Sequence, residues 1–564
     1  MQLTPSFITL GLAILAAVDA AHLHKLATRA DTDFQKPVLG YNTYNAVACS
    51  PTEQFAQAQV DALQSNGYLA AGYQMFQIDC GWQATDGSRN SSAGNAISQD
   101  LSAFPSGLKA MGEYATQRGF RFGMYTDAGV KGCDTTVPSP TAGSLGHESA
   151  DAAQFASWNS SYVKYDNCYA SGPTAADNAP KNPRTDFITR FSVMTRALHA
   201  NGIKGDLTCQ WGVPYQTPEN TLEGPVDWTK NISSSFRLSD DINDSWASVV
   251  RILNQAIPIA ASDKTGPGFH GDADLLEVGN GGLTFAEQQT HFAHWAMLKS
   301  ALMISTDLTK ASSQTHDLLT NKALIAINQD DLGKPIKLVQ RFTGDHDLHA
   351  GPLSNGDLAV HAINWQSNSR SLTVDFSALN ITSANVADLF AGSTKQDASS
   401  YTANVDEHGS IALRLSSIKY SNNASPNVDW IPATSGKLAG DTNVQDCSGC
   451  TGGKKVGDIG NGSGNTVTFD NINTSGSTAT ILFDYINCEI GYLNMGTNAR
   501  NATISVNGGS PVTVNFPLSG YNWDADIAHN YRVSLDGFKA GSGNSIQIGG
   551  STYGPDLDRI GILA

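Results

Sequence analysis

The sequence predicts an α/β fold, a (β/α)8 TIM barrel, followed by a small antiparallel β-sandwich domain and a C-terminal jelly-roll β-sandwich. Strand-like and helix-like segments alternate between residues 36 and 335. Repeated strand–helix units of this kind imply a parallel sheet. From residue 336 onward, apolar and polar residues alternate between clusters of Ser, Asn and Gly. That pattern is typical of antiparallel strands.

Within the barrel region, the first long helix begins at Ser50-Pro51-Thr52-Glu53, where Ser, Pro and Glu are suited to a capped helix start. About 300 residues with this many strand–helix units favour a closed barrel over an open sheet. No Gly-rich phosphate fingerprint follows the first strand, which disfavours a dinucleotide-binding fold. The predicted strands and strand ends that follow are YQMFQID, FRFGMYTD, SYVKYD, GDLTCQW and FRLSDD.

The composition changes along the chain predict the domain boundaries. Phe7 to Val18 is a short apolar run followed by Ala20 and Ala21, which is typical of a signal peptide. The predicted divisions are a signal peptide (1–20), a propeptide or N-terminal tail (21–35), the barrel (36–335), the antiparallel domain (336–418), a polar linker (419–429) and the C-terminal sandwich (430–564).

Charge and cysteine content limit the class of protein. The net charge is −17 and the isoelectric point is about 5.1, which disfavours binding to nucleic acid or to an anionic membrane. A secreted chain with 8 cysteines is expected to form disulfides rather than zinc sites. We therefore expect an extracellular protein with a neutral partner and with sequons available for glycosylation, and no metal or cofactor is predicted in the barrel.

Catalytic residues of an α/β barrel lie where the strands end. Lys164 and Asp166 are two apart on one strand, so both side chains can face the barrel mouth. Lys164 is then expected to keep Asp166 ionised, and an ionised carboxylate beside a protonatable one is the pair that cleaves glycosidic bonds. The polar or aromatic residues at the predicted strand ends are Asp79, Tyr125, Asp127, Lys164, Asp166, Gln210, Trp211, Arg237, Asp240, Asp241, Asp272 and Asp274.

Four motifs carry a resemblance to a known family: KYDNC, RLSDDINDSW, GPGFHGDADLLEVGN and IAINQDDLGKP. They resemble the signatures of glycoside hydrolase family 27, the α-galactosidases, from Leu39 to about Leu415. The resemblance implies that Asp166 is the nucleophile and that Asp241, four residues after Arg237, is the acid/base. Retention of configuration by double displacement would place these carboxyl groups about 5–5.5 Å apart, with Asp241 buried and protonatable.

The same resemblance implies how the sugar is held. Asp79 would bind the 4- and 6-hydroxyls and Lys164 the 3-hydroxyl. The residues implied near the 2-hydroxyl and the reaction centre are Arg237, Asp274 and Gln210, and the aromatic residues implied to line the pocket are Tyr44, Tyr125 and Trp211. Disulfides are implied between Cys49 and Cys80 and between Cys133 and Cys168.

The segment IDCGW, Ile78 to Trp82, departs from the Ile-Asp-Asp-Cys-Trp of many family members. One carboxylate that could bind the 4- or 6-hydroxyl is absent, so a β-L-arabinopyranosidase, whose sugar lacks C6, is an alternative to an α-galactosidase. A non-catalytic, lectin-like protein is a further alternative, which the presence of Asp166, Asp241 and Lys164 disfavours.

The C-terminal unit, with CSGCTGGKKVGDIGNG and YGPDLDRIGIL, resembles a family 35 carbohydrate-binding module. A polysaccharide partner is therefore expected there. Cys447 and Cys450 predict a disulfide or a strained loop rather than zinc. A structural calcium ion on Asp556 and Asp558 is left open, and Tyr521 and Trp523 are either sugar-stacking residues or core.

Overall fold

The computed structural model describes residues 34–134, 141–169, 187–212, 215–216, 222–342, 345–421, 428–462, 464–490 and 497–563. The predicted signal peptide, the predicted propeptide up to residue 33 and residues 422–427 of the predicted linker lie outside these ranges. Among the described residues, no helix combines the length and the apolarity needed to cross a membrane.

The predicted barrel is present. Eight parallel strands pair in the order β7-β6-β5-β4-β3-β2-β1-β8, and a parallel bridge between Leu276 and Ile304 joins the two ends of the sheet. The strands are β1 Leu39–Asn42, β2 Met75–Gln77, β3 Arg121–Asp127, β4 Ser160–Asp166, β5 Gly205–Thr208, β6 Ser235–Arg237, β7 His270–Asp272 and β8 Leu302–Ile304.

Helices surround this sheet and follow the strands in sequence. The first begins where the sequence predicts, because the Thr52 hydroxyl accepts a hydrogen bond from the Phe55 N–H. The main helices are α1 Glu53–Ser65, α2 Gly107–Gln117, α3 Glu148–Ser157, α4 Phe187–Ala200, α5 Pro225–Trp228, α6 Trp246–Ala261, α7 Phe285–Met297, α8 Ser313–Leu319 and α9 Lys322–Asn328.

The remaining residues form two β-sandwiches, each with its own buried apolar core. The first contains β9 Lys337–Phe342, β10 His346–Pro352, β11 Leu358–Asn364, β12 Arg370–Asp375, β13 Ile381–Asp388, β14 Thr394–Ala398, β15 Ser400–Val405 and β16 Ser410–Tyr420. The second contains β17 Val428–Pro432, β18 Lys437–Ala439, β19 Asn443–Asp446, β20 Lys454–Gly457, β21 Thr466–Thr474, β22 Thr478–Ile486, β23 Ala499–Val506, β24 Val512–Pro517, β25 Ala528–Asp536, β26 Gly541–Gly549 and β27 Asp556–Leu563.

The two sandwiches share one continuous sheet. Strand β9 pairs in parallel with β25, with Arg341 opposite Val533. This pairing joins the two halves of a 12-stranded sheet and covers an edge that would otherwise present unpaired backbone groups. The C-terminal sandwich is therefore built into the body of the protein rather than attached to it only through the chain.

The C-terminal sandwich also packs on the barrel. The Asn498 amide donates to Gln255 Oε1 at 2.9 Å, and the Asn254 amide donates to the Thr497 carbonyl at 2.8 Å. Tyr521 is buried, and a Cβ at Gly224 would come within 2.0 Å of its ring. Tyr521 thus packs at the interface with the barrel, and its interpretation as a sugar-stacking residue is wrong.

We predict that a chain ending at Tyr420 is less stable than the full protein. The truncation exposes the edge of β9. It also exposes Asn254 and Gln255 of α6, which otherwise bind Thr497 and Asn498. The melting temperature of the barrel should fall by roughly 10 °C, measured by differential scanning calorimetry. The full-length Asn498→Ala variant should show a smaller fall of the same sign. An unchanged barrel melting temperature would mean that the C-terminal sandwich does not support the barrel.

Candidate active site

The carboxyl ends of the barrel strands surround one cavity of about 210 Å³. Its lining combines carboxylates, one ammonium group and aromatic rings, which is the composition expected of a site for a polar ligand with apolar ring faces. The lining residues are Tyr44, Asn45, Asp79, Cys80, Tyr125, Cys133, Asp134, Lys164, Asp166, Cys168, Tyr169, Trp211, Asp241, Ile242, Asp274 and Leu275.

Strand β4 brings Lys164 and Asp166 into this cavity together, as their spacing predicts. Lys164 Nζ lies 3.1 Å from Asp79 Oδ2 and 3.8 Å from Asp166 Oδ2. It also lies 5.4 Å from the ring centre of Tyr125 and 5.6 Å from that of Tyr44. Burial opposes the charge on Lys164, but Asp79 and Asp166 outweigh it and raise the lysine pKa above its ordinary value. Lys164 is therefore a fixed cation between two carboxylates.

Asp166 is buried and held from two sides. Its Oδ1 accepts hydrogen bonds from the Trp211 indole N–H at 2.7 Å and from the Asn167 backbone N–H at 2.9 Å. Burial raises the pKa of Asp166, and Asp241 and Asp79 act in the same direction, against Lys164 and Trp211. The expectation that Lys164 gives this carboxyl a low pKa is wrong, because burial and the surrounding negative charge outweigh one cation.

Asp241 lies in a different environment, at the rim of the cavity. Its side chain is 49% exposed and pairs with Arg237 at 3.0 Å. The expectation that Asp241 is buried is therefore wrong. The buried Arg237 also binds Asp274 at 2.7 Å, and the Ile242 backbone N–H donates to Asp274 at 2.7 Å. The loop that carries Asp241 is thus fixed on both sides while its carboxylate reaches solvent.

Asp79 is oriented by residues at the end of β1. The Asn42 amide donates to Asp79 Oδ2 at 2.7 Å, and the Asp79 backbone N–H donates to the Thr43 hydroxyl at 3.0 Å. Sequence analysis missed Asn42, although it ends a barrel strand in the same way as the residues that were selected. Selecting the polar residue at the end of the strand LGYN, as was done for the other strands, would have identified Asn42.

Three residues that line the cavity have a left-handed backbone: Tyr169, Trp211 and Asp274. Trp211 has φ 63° and Asp274 has φ 81°, a region that residues with a Cβ seldom adopt. Each such residue costs about 1–3 kcal/mol. In return, the Trp211 N–H points at Asp166 and the Asp274 carboxylate meets Arg237. The surrounding barrel holds both conformations in place.

The structure brings most of the predicted site residues to this cavity, but not all of them. Five of the predicted strand-end residues are buried outside the lining: Asp127, Gln210, Arg237, Asp240 and Asp272. The lining residues that sequence analysis did not assign to the site are Asn45, Asp134, Tyr169, Ile242 and Leu275. Asp134 and Tyr169 lie in connections after β3 and β4, where no periodic pattern marks a residue.

The cysteines support the rim of the site. Disulfides join Cys49 to Cys80 and Cys133 to Cys168, as the family resemblance implies, and a third joins Cys447 to Cys450. Asp127 lies beside Cys133 and Cys168, but both sulfurs are bonded to each other, so this group does not provide thiolate ligands for a metal. Tyr125 and Asp79 are therefore held between two disulfide-linked loops.

The carboxylates considered for calcium in the C-terminal sandwich have other partners. Asp556 lies 2.7 Å from Lys455 Nζ. Asp558 accepts hydrogen bonds from the backbone N–H and the hydroxyl of Thr451, both at 2.9 Å. These two residues do not fit a calcium site as they stand, because a cation would have to displace Lys455.

Comparison with protein families identifies two matching regions. Residues 42–330 match the family described as Alpha galactosidase A. Residues 343–415 match the Alpha galactosidase C-terminal beta sandwich domain. The two matches coincide with the barrel and the first β-sandwich.

Fungal relatives match over more of the chain. The chain is 31% identical to "Probable alpha-galactosidase D" of Aspergillus terreus, over 96% of each protein. It is 34% identical to Alpha-galactosidase D of Emericella nidulans, over 67% of this chain and 56% of that protein.

Solved structures show the same architecture. Alpha-galactosidase I from Mortierella vinacea is 29% identical with a TM-score of 0.61, over 69% of this chain and 99% of that one. The Saccharomyces cerevisiae enzyme with raffinose is 25% identical with a TM-score of 0.58, over 68% and 97%. A β-L-arabinopyranosidase from Geobacillus stearothermophilus is 18% identical with a TM-score of 0.56, over 70% and 98%, and shares the fold alone.

Asp272, which lies buried below the cavity, gives a testable pH dependence. Burial raises its pKa to about 6. Its contribution to stability is therefore full below about pH 4 and is lost as the pH rises through 6. Asp272→Asn removes this titration and still accepts the Asp274 N–H. Relative to the unmodified protein, the variant should gain about 1–3 kcal/mol between pH 4 and pH 7.

Urea unfolding at several pH values measures this difference. The matched control is Asp61→Asn, which changes an exposed carboxylate paired with Arg118. Parallel stability curves for Asp272→Asn and the unmodified protein would contradict the prediction.

Proposed function

The chain belongs to the α-galactosidase family, glycoside hydrolase family 27, and from this we propose that it is a secreted, retaining enzyme. It removes terminal α-D-galactosyl residues from galacto-oligosaccharides, galactomannans or other α-galactosides. The observation that carries the proposal is that Asp166, at the end of β4, and Asp241, in the loop after β6, line one cavity in unequal environments. One carboxylate is buried and hydrogen-bonded, and the other lies at the rim and reaches solvent.

The two carboxylates divide the reaction between them. Asp166 attacks the anomeric carbon while the glycosidic C–O bond breaks, and Asp241 donates its proton to the leaving oxygen. Asp241, now ionised, takes a proton from water, and the hydroxide oxygen displaces Asp166 from the anomeric carbon. Two inversions give net retention. The exposed position of Asp241 suits this role, because the leaving group departs and water enters on the solvent side.

The remaining lining residues bind the terminal sugar. Asp79 and Lys164 form an acceptor–donor pair for neighbouring hydroxyls, since Lys164 Nζ is only 3.1 Å from Asp79. Tyr44, Tyr125 and Trp211 supply aromatic surface for the apolar face of the ring. Arg237 acts from beneath, by orienting Asp241 and Asp274. Gln210 is outside the cavity lining, so its implied contact with substrate needs a movement of the site.

The proposal extends to location and polymer binding. Three disulfides among the described residues suit an oxidising compartment, which supports secretion. The C-terminal sandwich, by its resemblance to a family 35 module, would bind polysaccharide. In that sandwich, Trp523 keeps part of its ring accessible beneath Arg500, whose guanidinium lies 4.5 Å from the ring centre.

Substitution of the two carboxylates tests the catalytic roles. Asp166→Asn should lower kcat by roughly 10³-fold or more, because no nucleophile remains. Asp241→Asn should lower kcat by roughly 10²–10⁴-fold. The rate of glycosidic bond cleavage should fall less for a substrate whose leaving group does not need to be protonated. Hydrolysis of p-nitrophenyl α-D-galactopyranoside measures kcat, and NMR of the first-formed sugar should show the α-anomer.

The matched control is Asp244→Asn, which changes another acid of the same loop that does not line the cavity. It should retain nearly full activity. Activity that survives in Asp166→Asn, or a β-anomer as first product, would overturn the proposed mechanism.

A specific observation also keeps β-L-arabinopyranosidase as a second candidate. Cys80 follows Asp79 where many family members have a second Asp, and it is bonded to Cys49. Asp79 Oδ2 is already shared with Asn42 and Lys164. The cavity therefore has one carboxylate fewer with which to bind a hydroxymethyl group.

We predict that the α-galactoside remains the better substrate, by about tenfold in kcat/KM, because the hydroxymethyl group still adds contact area. Parallel assays with p-nitrophenyl α-D-galactopyranoside and p-nitrophenyl β-L-arabinopyranoside measure the ratio. A ratio that favours the arabinopyranoside would make the second candidate the main function.

A further inference from the structure

A second cavity lies at the junction of the barrel and the two sandwiches. Its volume is about 250 Å³, close to the 210 Å³ of the active-site cavity. Because the active-site cavity is proposed to hold one sugar ring, a cavity of this volume is large enough for one as well. The lining residues are Val250, Asn254, Arg341, Trp365, Thr497, Thr513, Val514 and Asn515.

Two residues that line this cavity each have a buried polar atom with no hydrogen-bond partner among the described residues. Asn254 is 2% exposed. Its amide nitrogen donates to the Thr497 carbonyl, but its Oδ1 is unpaired. The indole N–H of Trp365 is also buried and unpaired. A buried polar group without a partner is costly, so this acceptor and this donor indicate a ligand that supplies both a donor and an acceptor.

The cavity carries no free charge that would select an ion. Its one cation, Arg341, is paired with Asp347, with Nε to Oδ1 at 2.7 Å. The same guanidinium donates to the side-chain and backbone oxygens of Asn515, at 2.6 and 3.1 Å. The fitting ligand is therefore neutral.

The aromatic surface of Trp365 further restricts the chemical class of the ligand. The Trp365 indole is half-buried, and aromatic rings bind groups that have one apolar face and a polar edge. Hydroxyl groups both donate and accept, as Trp365 and Asn254 require. A neutral pyranose ring has an apolar C–H face and hydroxyls around its edge, and it meets all of these conditions.

We propose that this junction cavity is a second carbohydrate-binding site, which takes one neutral pyranose unit of an oligosaccharide. Helix α6 connects it to the active site. Trp246, Val250 and Asn254 follow at four-residue intervals and so lie on one face of α6. The Trp246 ring is 6.0 Å from that of Trp365, and Trp246 is five residues beyond Asp241 in the sequence. A saccharide long enough to reach both cavities would bind at both, although binding here does not depend on the proposed catalytic activity.

Isothermal calorimetry with β-1,4-mannotetraose and with galactose tests the site on the full-length protein. Trp365→Ala removes the stacking surface, and Trp365→Phe keeps a ring but removes the N–H. Trp430→Ala is the matched control, because Trp430 is also half-buried against an arginine, Arg559, but lies on β17, outside the cavity. Melting temperatures confirm that each variant is folded.

The unmodified protein and Trp430→Ala should bind at least one probe at a site that Trp365→Ala lacks. Trp365→Ala should weaken binding of that probe by roughly three- to tenfold or abolish it, and Trp365→Phe should lie between. Hydrolysis of p-nitrophenyl α-D-galactopyranoside should stay unchanged in all of them. The kcat/KM for galactomannan should fall only in the Trp365 variants.

Equal binding by the unmodified protein and folded Trp365→Ala, or no binding of either probe, would overturn the proposal and leave the cavity to water alone. The two proposals can also fail separately. If the unmodified protein does not hydrolyse galactosides but binds a probe that Trp365→Ala does not bind, the proposed function is wrong and the second site is supported.

Discussion

The structure depends on placing more negative than positive charge in a barrel mouth where three of the four carboxylates are buried. Among the described residues, two cations, Lys164 and Arg237, pair with the four carboxylates Asp79, Asp166, Asp241 and Asp274. Burial raises the pKa of Asp166 and of Asp274, against Lys164 and Arg237. The two cations and the Trp211 N–H limit that rise without removing it. The buried Asp166 and the exposed Asp241 therefore differ in solvation.

Helix α6 binds the backbone beside two active-site residues, Asp241 and Trp211, and Trp211 in turn donates to Asp166. Arg251 donates to the Asp241 carbonyl at 2.9 Å and forms a buried ion pair with Asp240. Gln255, one turn further on, donates to the Gly212 carbonyl at 3.3 Å, next to Trp211. The Asn498 amide of the C-terminal sandwich donates to Gln255. The C-terminal sandwich therefore reaches the active site through two side chains.

This arrangement changes what the C-terminal sandwich can contribute. A module on a flexible tether raises the effective concentration of polymer near an enzyme. Here the shared sheet, the α6 contacts and the buried Tyr521 give the sandwich a fixed position. Saccharide held on it would therefore approach the barrel mouth from one direction, which a flexible tether cannot impose.

Local patterns in the sequence were enough to predict the repeated strand–helix units, the change to β-sandwiches and most of the charged residues of the mouth. These features follow from local periodicity and from the rule that barrel strands end at the site. Lys164 and Asp166 were assigned to one face because alternation along a strand is a local property.

The environments of these residues and the contacts between domains could not be predicted from local patterns, because they depend on the folded chain. Asp241 is exposed and Asp166 has a raised pKa because solvation depends on every element around a side chain, which no local pattern encodes. Gln210 and Arg237 also lie at strand ends, yet both are buried outside the cavity lining, because that position depends on the packing of the whole barrel. The pairing of β9 with β25 joins strands almost two hundred residues apart, and only the folded chain brings their edges together.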